Sequence, residues 1–102
     1  MLAGGRPVLA DSVGDGDLSI DPADVQRRIT PATKGIICVH YGGSGCRLEE
    51  LLALCERHGL FLIEDAAHAP GGWWRGRSLG TFGDVGCFSF FGNKNMTTGE
   101  GG

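Results

Sequence analysis

Gly35-Ile36-Ile37-Cys38-Val39-His40, then Arg47-Leu48-Glu49-Glu50-Leu51-Leu52-Ala53-Leu54-Cys55-Glu56-Arg57-His58-Gly59, then Leu60-Phe61-Leu62-Ile63-Glu64-Asp65: these three runs decide the fold. The outer two are short, nearly continuous apolar segments of the kind that fill a sheet covered on both faces. In the middle run Leu48, Leu51, Leu52 and Cys55 fall at i, i+3, i+4 and i+7, which makes one apolar stripe on a helix, and Gly59 is placed to end it. Strand, helix, strand at this spacing is a βαβ unit with parallel strands and a right-handed crossover. The chain is therefore expected to be α/β, a slice of a layered structure.

Downstream, regularity loosens from Ala66 to Asp84 and resumes as Val85-Gly86-Cys87-Phe88-Ser89-Phe90-Phe91, a further strand leading into a loop that carries Lys94. Upstream, Ile20-Asp21-Pro22-Ala23-Asp24-Val25 holds a complete helix start. Asp21 is the N-cap, Pro22 takes the first helical position, Asp24 sits near the positive end, and Ile20 packs on Val25. This helix stops before Thr30-Pro31, since proline disfavours helical geometry in the residue before it. Further back, Arg6-Pro7-Val8-Leu9-Ala10-Asp11 reads as a buried strand that delivers an acid at its end.

At 102 residues the chain is one small domain or part of one, and with 41% hydrophobic and 21% charged residues it has the composition of a folded protein. The net charge of −3 comes with scattered Arg and Lys, so a basic footprint for nucleic acid is missing. There is neither a signal-peptide pattern nor an apolar run of ~18 residues, so no membrane association is expected and a cytoplasmic location is the default. Cys38, Cys46, Cys55 and Cys87 have no zinc-ligand spacing; no metal site is expected, and they read as small buried thiols. Gly14-Asp15-Gly16 lacks the third glycine of a dinucleotide fingerprint, and no phosphate-loop or Gly-x-Ser-x-Gly motif occurs.

In open α/β sheets ligands bind beyond the carboxyl ends of the strands, which is where Asp65, His68 and the Lys94 loop fall. A carboxylate emerging from a buried strand needs a partner. Pyridoxal phosphate (PLP) chemistry asks for a lysine that forms a Schiff base, an acid that keeps the ring nitrogen protonated, and donors for the phosphate. Lys94, Asp65 and Ser89 supply these three types. Each has a plain structural alternative: an Asp after a strand is often a cap, a Lys in a glycine-rich loop is usually solvated, and a Ser between aromatics often bonds backbone. His68 reads equally as a satisfied buried histidine, and His40 and His58 as structural or exposed. Trp73-Trp74 reads as one core and one surface residue.

The conjunction of Glu64-Asp65-Ala66-Ala67-His68-Ala69 with Phe88-Ser89-Phe90-Phe91-Gly92-Asn93-Lys94-Asn95-Met96-Thr97-Thr98-Gly99-Glu100-Gly101-Gly102 resembles the DegT/DnrJ/StrS family of PLP-dependent nucleotide-sugar aminotransferases. The likeness continues upstream through Pro7 to Asp11, Ile20-Asp21-Pro22, Ile29-Thr30-Pro31 and Val39-His40-Tyr41-Gly42. It implies the type I PLP fold, a three-layer α-β-α arrangement with a mostly parallel sheet, and a homodimer with its active sites at the interface. It makes Lys94 the Schiff-base lysine, Asp65 the partner of the pyridine nitrogen and Ser89 a phosphate ligand. His68 stands where many members carry glutamine, near the ring. The implied reaction moves an amino group, from glutamate, to a keto group of a nucleotide-linked sugar. A branch that replaces the lysine with histidine dehydrates sugars, so Lys94 favours transamination.

Family members are several times longer, so residues 1–102 are expected to be a fragment of the PLP-binding large domain, with no second domain and no activity in isolation. Two other readings stay open on the sequence. One is a different type I PLP enzyme, such as a cysteine desulfurase or an amino-acid aminotransferase; the other is a non-catalytic α/β fragment that retains the motif.

Overall fold

The computed structural model of the chain describes residues 4–99. It opens with a hairpin, β1 (Ser12–Gly14) and β2 (Asp17–Ile20), whose strands are antiparallel around Asp15-Gly16. An Asp-Gly pair suits the tight turn that joins such strands. The sequence pattern puts Asp11 at the end of a strand, and the structure corrects this. Residues 6–11 are irregular, with Leu9 84% exposed. The main chain of Asp11 is engaged elsewhere: its N–H donates to Asp24 Oδ2 at 2.8 Å, and its carbonyl accepts the Asp21 N–H at 2.8 Å. The carbonyl bond closes the β1–β2 ladder beside the Ser12–Ile20 pair, while residues 6–10 have no backbone hydrogen-bond partner among the described residues with which to form a strand.

That helix is α1 (Pro22–Arg28). Asp21 caps it, with Oδ1 accepting the Ala23 N–H at 3.0 Å, and Ile29 ends it in extended geometry ahead of Pro31. Ile20 is half-buried against the same apolar cluster as Val25. Asp24 is itself buried and pairs with Arg27 at 2.9 Å and Arg28 at 2.5 Å.

The central unit is β3 (Gly35–Val39), one 3₁₀ turn at Tyr41–Gly43, α2 (Leu48–His58) and β4 (Phe61–Asp65). β3 and β4 are parallel, in register from Gly35 opposite Phe61 to Val39 opposite Asp65. Gly59 ends α2 in the left-handed region at φ 63°, where glycine carries no Cβ penalty. The buried stripe of α2 is Leu48, Leu51, Leu54 and Cys55. Leu52 is only half-buried, so the face is rotated slightly from the expected one, with Leu54 turned inward. This stripe packs with Ile36, Cys38, Leu62 and Leu79 in the core.

A small hairpin follows, β5 (Trp73–Trp74) and β6 (Arg77–Ser78), turning through Arg75 and Gly76, both at positive φ. Trp74 meets Phe82 edge-on at 5.2 Å between ring centres, whereas Trp73 is exposed, so one tryptophan faces the core and one the surface. β7 (Val85–Cys87) then lies parallel to β4 on the side away from β3, giving the order β3-β4-β7. It is shorter than the expected Val85–Phe91 strand. Past Cys87 the backbone turns locally, with Lys94 N–H on the Phe91 carbonyl at 2.9 Å and Thr98 N–H on the Phe90 carbonyl at 3.2 Å.

Among the described residues the sheet has a helix layer on one face only. Ile36, Cys38, Leu62 and Glu64 point into that covered side, while Ile37, Val39, Phe61 and Val85 on the other side are exposed. A sheet with apolar residues on both faces is the pattern of the middle layer of three. All four cysteines are free; Cys87 is exposed, contrary to the buried thiol expected, because its strand lies at the sheet edge beside that open face. No helix among the described residues is long and apolar enough to cross a membrane.

Candidate active site

Parallel strands end on the same side of their sheet, and here the register makes that edge explicit: Val39, Asp65 and Cys87 stand side by side. Three connections leave from it. His40-Tyr41-Gly42-Gly43 follows β3, Ala66-Ala67-His68 follows β4, and Phe88 to Lys94 follows β7. All four residues singled out from the sequence, Asp65, His68, Ser89 and Lys94, lie on these connections or at the end of β4.

Asp65 is half-buried, and its Oδ1 accepts the Ala67 N–H at 3.0 Å. Its Oδ2 has no partner among the described residues. His68 is exposed rather than buried; its ring meets Tyr41 edge-on at 5.7 Å, and Nδ1 accepts the Gly42 N–H at 3.4 Å. Gly43 is needed at this contact: it has φ 83°, and a Cβ there would lie 3.1 Å from the His68 carbonyl. Ser89 is half-buried, with Oγ 3.5 Å from the Phe91 N–H that donates to it. Lys94 is half-buried, and its ammonium forms no ion pair among the described residues. Its loop is tied to the segment after β4 by the Asn95 side-chain amide, which donates to the Pro70 carbonyl at 3.2 Å. No group of three or more His, Cys, Asp or Glu that could hold a metal occurs among the described residues.

A second constellation lies directly beneath this edge. Glu64 is wholly buried, and its carboxylate accepts four hydrogen bonds. Oε1 takes the N–H of Phe82 at 2.5 Å and of Gly83 at 2.6 Å; Oε2 takes the N–H of Gly80 at 2.8 Å and Nε2–H of His40 at 2.9 Å. Burial by itself raises the pKa of this carboxyl, but the N–H of Gly83, the His40 ring and the N–H groups of Gly80 and Phe82 outweigh it and hold Glu64 below the usual range. His40 is also wholly buried, and its Nδ1 accepts the Cys46 N–H at 3.1 Å. Burial disfavours charge on this ring, while Cys46 and Glu64 lift its pKa on balance. Against that lift stands the Cys46 N–H aimed at Nδ1, which leaves a second proton there without an acceptor; this contact favours the neutral ring with its proton on Nε2.

Glu64 does not stand out in the sequence, and His40 reads there as structural or exposed. A usable signal exists. Side chains alternate along a strand, so with Leu62 on the buried face Glu64 joins it, and a buried acid demands donors. The glycine-rich run from Gly80 to Gly86 is where free backbone N–H groups are to be found.

The carboxyl edge of a parallel sheet is where α/β proteins build their ligand sites, and Asp65 stands on that edge here. The chain belongs to the DegT/DnrJ/EryC1/StrS aminotransferase family, whose sequence profile matches residues 1–102. A GDP-perosamine synthase of Vibrio cholerae is 48% identical over 99 residues, which are 97% of this chain and 27% of that protein. The aminotransferase from Psychrobacter cryohalolentis superposes with a TM-score of 0.88 at 41% identity, over 94% of this chain and 24% of that one. S. venezuelae DesV, solved in complex with a ketimine intermediate, gives a TM-score of 0.82 at 35% identity, over 94% of this chain and 26% of that one. The chain thus spans about a quarter of the length of the relatives it matches.

Proposed function

We propose that the full-length protein is a PLP-dependent aminotransferase that moves an amino group, from glutamate, onto a keto group of a nucleotide-linked sugar. It acts in the cytoplasm as a homodimer, and residues 1–102 form part of its cofactor-binding large domain. The observation that carries this reading is the row formed by Asp65 and Cys87 across β4 and β7, from which the Ser89 to Lys94 loop departs beside an acid with one unclaimed oxygen. Family membership supports the reaction class. The GDP-linked compound in the name of the Vibrio cholerae relative supports the substrate class, and the complex in which DesV was solved supports the cofactor.

The residues present fit that cofactor. Asp65 Oδ2 and the Lys94 amine are both polar groups without a partner among the described residues, at the same sheet edge. When bound, PLP supplies an electron sink for the carbon that carries the amino group. Asp65, ionised, would hold a proton on the ring nitrogen through Oδ2 while Oδ1 stays anchored to the Ala67 N–H. Lys94 would hold the cofactor covalently through Nζ and, once displaced by the amino donor, would move a proton to and from the substrate carbon. Ser89 would donate its hydroxyl to the phosphate, and His68, edge-on to Tyr41, would border the ring.

The test uses the full-length protein reconstituted with PLP. Borohydride reduction followed by peptide mapping is expected to place the label on Lys94; a label on Lys34 would remove the assignment, and no cofactor uptake at all would remove the function.

A further inference from the structure

We propose that Glu64 and His40 form a positioning pair for the proposed active site: by holding segment 80–83 against the end of β3, they fix where β7 runs, and with it where Ser89 and Lys94 stand relative to Asp65. The inference rests on the aminotransferase reading.

Glu64 and Asp65 are consecutive in one strand, so they leave β4 on opposite sides. Asp65 takes the edge where the ligand is expected. Glu64 takes the covered side, and there gathers the backbone N–H groups of Gly80, Phe82 and Gly83 with the His40 ring. The gathered segment is only two residues from β7 and is locked to the sheet. Asp84 exchanges two hydrogen bonds with the main chain of Leu62, at 2.8 and 2.9 Å. A Cβ on Gly83 would fall 2.5 Å from the Leu62 carbonyl, and one on Gly86 would overlap the Gly80 carbonyl, so the backbones pack with no space between them. At the far end of β7 the Cys87 carbonyl accepts the Ala66 N–H at 2.8 Å. Ser89 follows two residues later. The lever from the Glu64 carboxylate to the start of the Lys94 loop is therefore short and rigid.

The pair is also chemically directional. Gln at 64 with its oxygen toward His40 and Gly80 sets an NH2 against the Phe82 and Gly83 N–H groups. Turned over, it sets the NH2 against Gly80 and His40, and a tautomer switch at His40 would then aim Nδ1–H at the Cys46 N–H. Neither arrangement satisfies the donors, so Glu64→Gln releases segment 80–83.

The experiment compares Glu64→Gln, His40→Asn and His40→Gln in the full-length protein loaded with PLP. Asn at 40 keeps an acceptor for the Cys46 N–H and loses the donor to Glu64, whereas Gln keeps the donor. A displacement of ~1 Å at a reacting group costs about 10²-fold in rate. Glu64→Gln and His40→Asn are expected to slow the reaction of bound cofactor with amino donor by about 10- to 100-fold with little change in KM. They should also shift the pH midpoint of the cofactor absorbance by about 0.5 unit or more, a readout that lost packing alone would not move. His40→Gln is expected to restore both to near the wild-type values.

If Glu64→Gln does not fold, His40→Asn against His40→Gln decides. Unchanged midpoint and rate in His40→Asn, with Lys94 still labelled by borohydride, would overturn the positioning role and leave the aminotransferase reading standing. A wild-type protein that takes up no cofactor would instead overturn the aminotransferase reading, and this inference with it.

Discussion

Replacing Asp65 by Asn changes one charge and little else. Oδ1 of the amide can still accept the Ala67 N–H that Asp65 receives at 3.0 Å, so the turn after β4 keeps its anchor, and a change in stability of no more than about 0.5 kcal/mol is expected. What is lost is the negative charge at Oδ2, the oxygen without a partner among the described residues. An opposite charge within a few ångström favours the protonated ring nitrogen by about 1–3 pKa units, or roughly 1.4–4 kcal/mol. If that protonation is required in the rate-limiting proton transfer, the cost is a fall of about 10- to 10³-fold in rate. The assay is single-turnover mixing of the PLP-loaded full-length protein with glutamate, followed by cofactor absorbance, with thermal unfolding measured in parallel. An Asp65→Asn variant that folds normally, binds PLP and reacts within a few fold of wild type would refute the assignment of Asp65 to the ring nitrogen.

Lys94→Ala should abolish covalent trapping of the cofactor by borohydride while leaving the melting temperature nearly unchanged, since a half-buried loop lysine without an ion pair among the described residues contributes little packing; mass spectrometry of the reduced protein checks it. The hydrogen bond from Arg28, followed by that from the Asp11 N–H, holds Asp24 down to about 2, well below its ordinary value. Because the folded-state pKa is the lower one, the stability Asp24 contributes is complete above ~3.9, the value in an unfolded chain, and drains away as pH falls toward 2. Denaturant titrations over that window should show a steeper loss in wild type than in Asp24→Asn; equal slopes would remove the coupling. In the isolated chain of residues 1–102 Cys87 should be the first thiol to react with a disulfide reagent, ahead of the buried Cys38, Cys46 and Cys55, which is checked by mapping the modified peptide after substoichiometric labelling.

The βαβ unit is legible because its signals are local: two apolar runs, one helical stripe and a terminating glycine. The error of phase between Leu52 and Leu54 arises because three leucines in four positions satisfy more than one stripe, and only packing against Leu62 and Ile36 selects among them. Residues 6–11 have the pattern of a strand, yet a strand exists only with a neighbour to pair with, and residues 6–10 have no backbone partner among the described residues. The hairpin at 12–20 carries its mark in Asp15-Gly16, a turn signal that the test for a nucleotide motif does not use. Asp65, Ser89 and Lys94 stand out because their residue types and spacing carry chemical meaning. Glu64 does not, since its partners are backbone N–H groups 16 to 19 residues away and a histidine 24 residues before it, and the backbone groups leave no side-chain signature.

The alternation at the end of β4 makes that strand sensitive to parity. Deleting or inserting one residue between Phe61 and Ile63 would leave two adjacent acids in place, with charge and composition almost unchanged. It would nevertheless exchange their sides, sending Asp65 toward Gly80, Phe82 and Gly83, which its shorter side chain cannot reach, and Glu64 toward the ligand edge. Both sets of hydrogen bonds would be lost in one step. Changes of length in β4 are therefore expected to be far less tolerated than changes of residue at its exposed positions, such as Phe61, and a scan of single-residue deletions against single substitutions would reveal that asymmetry.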